Sequence, residues 1–116
     1  MGFSYHISDE EQCRVFALEG RFLEKGTGNE LISEISDTMG NHPKDVVIDL
    51  ESLEYMNSTG IKVVVKMIHL VAEHKRKIVF VAVPDRVQEL LKVVKLNALL
   101  EVKRNKKEGI TYLNNN

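Results

Sequence analysis

One cysteine, Cys13, is all the sequence contains, so no disulfide can form within the chain and a reducing compartment is implied. Neither sign of charge is in excess. Sixteen Lys and Arg residues face seventeen Asp and Glu, a net charge of -1 that argues against a general nucleic-acid binder. The nearest thing to a basic patch, Lys103, Arg104, Lys106 and Lys107, reads as a solvated tail. No run spans a membrane, because the longest apolar stretch, Val63 to Ala72, is interrupted by Lys66 and His69. Met1 to His6 is too short and too polar for a secretion signal, which leaves the cytoplasm as the expected location.

Catalytic signatures are missing as well. His6, His42, His69 and His74 have no metal-ligand spacing, and His69 and His74 point to different faces of one helix. No Gly-rich phosphate loop with lysine occurs, and Met56 stands where a hydrolase elbow around Ser58 needs its first glycine. The expectation is a protein without cofactor or metal that is not an enzyme.

What is present suits one domain. At 116 residues the chain removes roughly two thirds of its unfolded surface from water, enough for one core without staples. Phe3–Ile7 alternates as an edge strand and Arg14–Gly20 forms a second strand. A helix over Glu24–Thr38 places Leu31, Ile32, Ile35 and Met39 on one face, and Gly40-Asn41-His42-Pro43 ends it. The β-branched run Val46–Ile48 and the run Ile78–Val83 suit strands covered on both faces. A helix over Ile61–His74 lies between them. Pro84-Asp85 opens another, with Asp85 as cap and Val87, Leu90, Leu91 and Val94 facing inward. Leu99–Val102 is the last strand, and residues 105–116 form a polar, frayed tail that keeps at most a helical turn near Ile110–Leu113. Strands alternating with helices imply an α/β fold with a mostly parallel sheet of about five strands and helices packed on it.

The most informative segment joins the Val46–Ile48 strand to the helix that follows. Asn57, Ser58 and Thr59 are three N-cap residues in succession, more than one helix start requires. They serve as a cap, or one hydroxyl is a phosphate acceptor or nucleophile at the positive end of a helix. Glu51 and Glu54 read as solvated loop acids, and Asp49 as a residue that orients the loop through backbone amides.

The stretch V-V-I-D-L-E-S-L-E-Y-M-N-S-T-G-I-K-V-V-V from Val46 to Val65 resembles the signature of the STAS domain, and specifically of the bacterial anti-sigma factor antagonists. L-E-G-R-F at Leu18–Phe22 and V-F-V-A-V-P-D-R-V-Q-E-L-L-K-V-V-K-L at Val79–Leu96 extend the likeness over nearly the whole chain, as a single STAS-like domain over residues 1–116. The resemblance implies a partner-switching regulator. The unmodified antagonist sequesters an anti-sigma factor serine kinase, the kinase phosphorylates it, and a serine phosphatase of the metal-dependent type resets it. By position Ser58 is the phosphorylation site, Thr59 the second hydroxyl, Gly60 the close-approach residue, and Asn57 and Asp49 complete the motif. Two departures stand out. Asn57 replaces the family's usual Asp, and the family's Leu-Asp pair after Leu23 is lacking, with Glu24 one position later. The alternative is an adaptor whose serine is not phosphorylated, in a lipid-transport ATPase or a stress-signalling scaffold.

On the following helix, Ile61, Val64, Val65, Ile68, Val71 and Ala72 form one stripe at about 100° per residue and are expected on the sheet. Val63, Met67 and Leu70 form another. They either pack on the third helix or make a partner-facing shoulder with Lys62 and Lys66, giving Lys62, Val63, Lys66 and Met67 as candidate partner contacts.

Overall fold

The β-branched runs lie at the centre of a five-stranded sheet in a computed structural model that describes residues 2–23, 25–40 and 42–115. The elements are β1 (Phe3–Asp9), β2 (Cys13–Phe22), α1 (Lys25–Thr38), β3 (Asp45–Met56), α2 (Ser58–Glu73), β4 (Ile78–Val81), α3 (Asp85–Val93), β5 (Val102–Lys103) and α4 (Lys106–Asn114). The strands lie in chain order, β1 antiparallel to β2 and every other pair parallel.

Alternation along the strands divides the core in two. Phe16, Leu18, Phe22, Val46, Ile48, Leu50, Met56 and Phe80 face α1, α2 and α3. Cys13, Val15, Val47, Val79 and Val81 face the other way, against Leu113 of α4. Both faces being covered explains why Val46–Ile48 and Val79–Val81 are apolar at every position. Ion pairs fasten loops and strand starts at the amino end of the sheet: Asp9 holds Arg14 at 3.0 Å and Lys44 at 3.6 Å, and Asp45 holds Arg76 at 3.6 Å. Buried Thr38 is fully engaged, accepting from Arg14 Nη1 and donating to the Glu34 carbonyl.

Several boundaries differ from those the sequence implies. β3 continues to Met56, so Glu51 and Glu54 are exposed residues of a strand rather than of a loop. β2 has 10 residues against β3's 12, yet their ends match as Cys13↔Asp45 and Phe22↔Met56. Irregularities between Ala17 and Glu19 and between Gly20 and Arg21 absorb the difference. Gly20 sits there at φ 90°, and a Cβ on it would collide with the Gly2 carbonyl oxygen. β4 stops at Val81 because Ala82 turns to φ 54°. Pro84 is the N-cap of α3, and Asp85 lies inside the first turn without capping it. Val94 is exposed rather than inward, and Leu99 precedes the short β5 with 58% of its surface in solvent. The expected helix start at Glu24, and Asn41 within the stop signal, lie outside the described residues.

The largest correction concerns the tail. Residues 106–114 form α4, whose start is capped by Asn105 Oδ1 accepting from Glu108 N at 2.9 Å. Its Gly109 passes so close to the sheet that a Cβ would come 2.6 Å from Val81 Cγ1. The weak apolar pattern of α4 hides a docking in which Gly109 and Leu113 are buried and Ile110 and Tyr112 pack beside them. Leu113→Ala should therefore lower stability by about 2–5 kcal/mol in urea denaturation, as for other buried leucines. Val93→Ala, at a side chain 77% exposed, should stay within about 0.5 kcal/mol.

Candidate functional site

β3 and α2 meet at Asn57, which ties together three pieces of backbone. Its extended conformation, φ -103° and ψ -166°, ends the strand, and its carbonyl accepts the first helical hydrogen bond from Ile61 N at 3.0 Å. Its Oδ1 accepts from Thr59 N at 2.9 Å and from Gly60 N at 3.3 Å, satisfying two amides that a helix start leaves free. Its backbone N–H donates to Phe22 O at 3.2 Å and its Nδ2 to Leu23 O at 3.4 Å. An aspartate would keep the cap but lose that last donor. The departure at position 57 thus adds a link between the end of β2 and the helix start.

Gly60 is a close-approach residue in the geometric sense. A Cβ there would lie 2.8 Å from Met56 Cβ, 3.1 Å from the Phe22 carbonyl oxygen and 3.2 Å from Phe22 Cγ. Two of these contacts are to atoms near or in the backbone, which cannot swing aside. Ser58, the first residue of α2, is exposed and Thr59 half-buried. At helical spacing Ser58 shares the outward side of α2 with Lys62, Val65 and His69. Asp49 does not reach this junction. Its Oδ1 accepts from Glu51 N at 3.0 Å within the irregular part of β3, so it holds the strand rather than the loop.

The candidate partner contacts divide. Lys62 and Lys66 are exposed, whereas Val63 is 7% exposed and Met67 fully buried. The buried stripe of α2 is Gly60, Val63, Val64, Met67 and Val71, so Val63 and Met67 belong to the core and form no shoulder. Val63 packs on α1 rather than α3: a Cβ on Gly28 would approach Val63 Cγ2 to 2.8 Å. Conversely, Ile61, Val65 and Ile68 are only partly covered and Ala72 is exposed, although the sequence places them on the sheet. Periodicity gives the angular spacing of stripes and leaves open which stripe faces in. The missed signal was Gly60 itself, since the stripe that carries the residue needed for close approach is the one against the sheet. Leu23, 36% exposed and bonded through its carbonyl to Asn57, is an apolar residue at this site that sequence reasoning passed over.

No group of three or more His, Cys, Asp or Glu capable of holding a metal occurs among the described residues. Among the described residues, no helix is long and apolar enough to cross a membrane. Cys13 is buried, and burial first, then the Glu10 and Asp45 carboxylates, push its pKa above the usual thiol value, against the partial opposition of Lys44 and Lys106. The nucleophilic thiolate is thereby disfavoured.

Residues 7–109 match the family model of the STAS domain. The chain belongs to the STAS domain family. No curated protein sequence matches it. Among solved structures, the anti-sigma factor antagonist SpoIIAA in its unphosphorylated form superposes with a TM-score of 0.82 at 13% identity, covering 97% of this chain and 98% of that one. RsbS of Moorella thermoacetica, as a serine-to-glutamate variant, gives 0.82 at 19% identity over 96% and 95%. A sulfate transporter family protein of Wolinella succinogenes gives 0.76 at 14% identity over 88% and 84%. At such identities the likeness is one of fold, and it carries the STAS arrangement of a mostly parallel sheet with helices on it.

Two substitutions probe the junction. Asn57→Ala should cost about 1 kcal/mol in chemical denaturation through loss of the cap, and Asn57→Asp less than half of that. Equal losses in both would place the stabilisation in the bond to Leu23 O instead of the cap.

Proposed function

We propose that this STAS domain is an anti-sigma factor antagonist: a binding module, not an enzyme, that sequesters an anti-sigma factor serine kinase in the cytoplasm while Ser58 is unphosphorylated. The observation that carries this reading is the division of labour at the start of α2. Asn57 supplies the cap, so the Ser58 hydroxyl is not consumed in holding the helix and stands exposed at its first position. Lys62, one turn further along the same side, and Lys66 beside it are the proposed polar contacts to the kinase, and Leu23, Ile61 and Val65 the apolar ones. A metal-dependent serine phosphatase is the proposed resetting partner. The fold likeness to a sulfate transporter family protein favours a second reading, an adaptor whose serine is never modified.

Intact mass after incubation with a cognate anti-sigma kinase and Mg-ATP separates the two. One added phosphate is expected, lost in Ser58→Ala and retained in Thr59→Ala. No added phosphate, or phosphate on Thr59, would reject the assignment.

Phosphorylation should act by blocking the partner, with little refolding. A phosphoserine adds about -1.5 to -2 charges. At a helix N-terminus that charge is favourable by about 0.3–1 kcal/mol, and Lys62 at i+4 adds to it. The penalty therefore arises in the complex, where a loss of about 2.7 kcal/mol weakens binding roughly a hundredfold. The expected outcome is an unchanged or slightly raised Tm together with that loss of affinity in kinase titration. A clear fall in Tm would contradict the local block.

A further inference from the structure

The sequence has five arginines. Three are held by carboxylates: Arg14 by Asp9, Arg76 by Asp45 and Arg104 by Glu108. The other two, Arg21 and Arg86, have no ion-pair partner among the described residues, and they line the same cavity, of about 360 Å3, with Tyr55 and Glu54.

The cavity's place in the fold is as telling as its lining. Arg21 and Tyr55 are register neighbours near the carboxyl ends of parallel β2 and β3, and Arg86 follows β4 in the first turn of α3. The adjacent pair, Phe22 and Met56, is buried toward the three crossover helices. Alternation therefore turns Arg21 and Tyr55 to the other face, which α4 covers only around Cys13, Val15, Val47, Val79 and Val81. Arg86 stands in the first turn of α3 beside Asp85, whose carboxylate suits the positive end of the helix. Two guanidinium groups without an ion-pair partner among the described residues thus line one cavity here, whereas the charges at the opposite end are paired.

We propose that Arg21, Arg86 and Tyr55 form a binding site for a phosphate monoester of a small polar alcohol. The two guanidinium forks donate to the phosphate oxygens and the Tyr55 hydroxyl supplies a further donor. Glu54, on the same wall, is the acceptor for a hydroxyl on the organic part, and it sets such an ester apart from inorganic phosphate. The volume stands near the lower bound of about 300 Å3 for small-molecule pockets, which admits a phosphate with a short chain. The site does not involve Ser58 and stands independently of whether that residue is modified.

The test is a chemical-shift titration of the unphosphorylated, 15N-labelled protein with glycerol 3-phosphate, inorganic phosphate and a phosphoserine tripeptide. Saturable shifts at Arg21, Tyr55 and Arg86 are expected, with glycerol 3-phosphate the tightest of the three probes. Arg21→Gln and Arg86→Gln should each weaken its binding about tenfold or more, the loss of a charge-assisted hydrogen bond. Both side chains are exposed, so both variants should keep the wild-type spectrum elsewhere. Glu54→Gln should remove the preference over inorganic phosphate, and Lys92→Gln, at the far end of α3, should change nothing. Absence of saturable shifts, or binding indifferent to both arginine substitutions, overturns the site. Tighter binding of the phosphoserine tripeptide overturns the small-molecule assignment in favour of a phosphorylated polypeptide.

Discussion

The close approach of α2 to the ends of β2 and β3 at Gly60 is the constraint on which the rest depends. With no side chain at that position, the helix lies directly against the Phe22 carbonyl and the Met56 Cβ. Its first turn then falls within hydrogen-bonding reach of the β2 terminus, where Asn57 joins Phe22 and Leu23. The same depth of approach drives Val63, Val64, Met67 and Val71 into the core, and it turns Ser58 to the outside. A helix seated further out would expose Met67 and break the hydrogen bonds from Asn57 to Phe22 and Leu23.

The two sheet faces are covered differently. Three crossover helices cover one face along its length. The other is closed by α4 alone, through Leu113 and the side-chain-free surface at Gly109. Near the carboxyl ends of the strands that second face is left to polar residues, among them Glu19, Arg21, Asp49 and Tyr55. The ends of the sheet differ as well. Carboxylates and cations pair around Asp9, at the end of β1, and Asp45, at the start of β3, where the C-termini of α1 and α2 also favour positive charge. At the carboxyl end lie the exposed serine, an exposed leucine and two arginines without carboxylate partners among the described residues. Fixed pairs hold the frame at one end, and exposed side chains collect at the other.

Local chemistry makes the core strands, the helix start at Asn57–Gly60 and the STAS signature legible in the sequence alone. Continuous apolar runs at Val46–Ile48 and Ile78–Val81 admit little besides strands covered on both sides, and cap residues act within one turn of backbone. The α/β class and the order of strands and helices follow from such short-range signals.

What only the tertiary structure decided is which side of each element faces inward and what closes the second face. Val63 and Met67 are as apolar as Ile61 and Val65, and a helical repeat alone cannot rank two apolar stripes. The ranking follows from Gly60, whose missing side chain marks the inward stripe, and from Gly28 on α1 and Phe22 and Met56 on the sheet, against which that stripe packs. The helix at 106–114 is another such case, because its buried Gly109 and Leu113 and half-buried Ile110 and Tyr112 form too short a pattern to show a helical period. Arg21, Tyr55 and Arg86 lie on three separate elements, and nothing within any one of them announces the others. Their meeting exists only once parallel pairing sets the register of the strand ends, since pairing energy is spread over many residues while the site it creates is local.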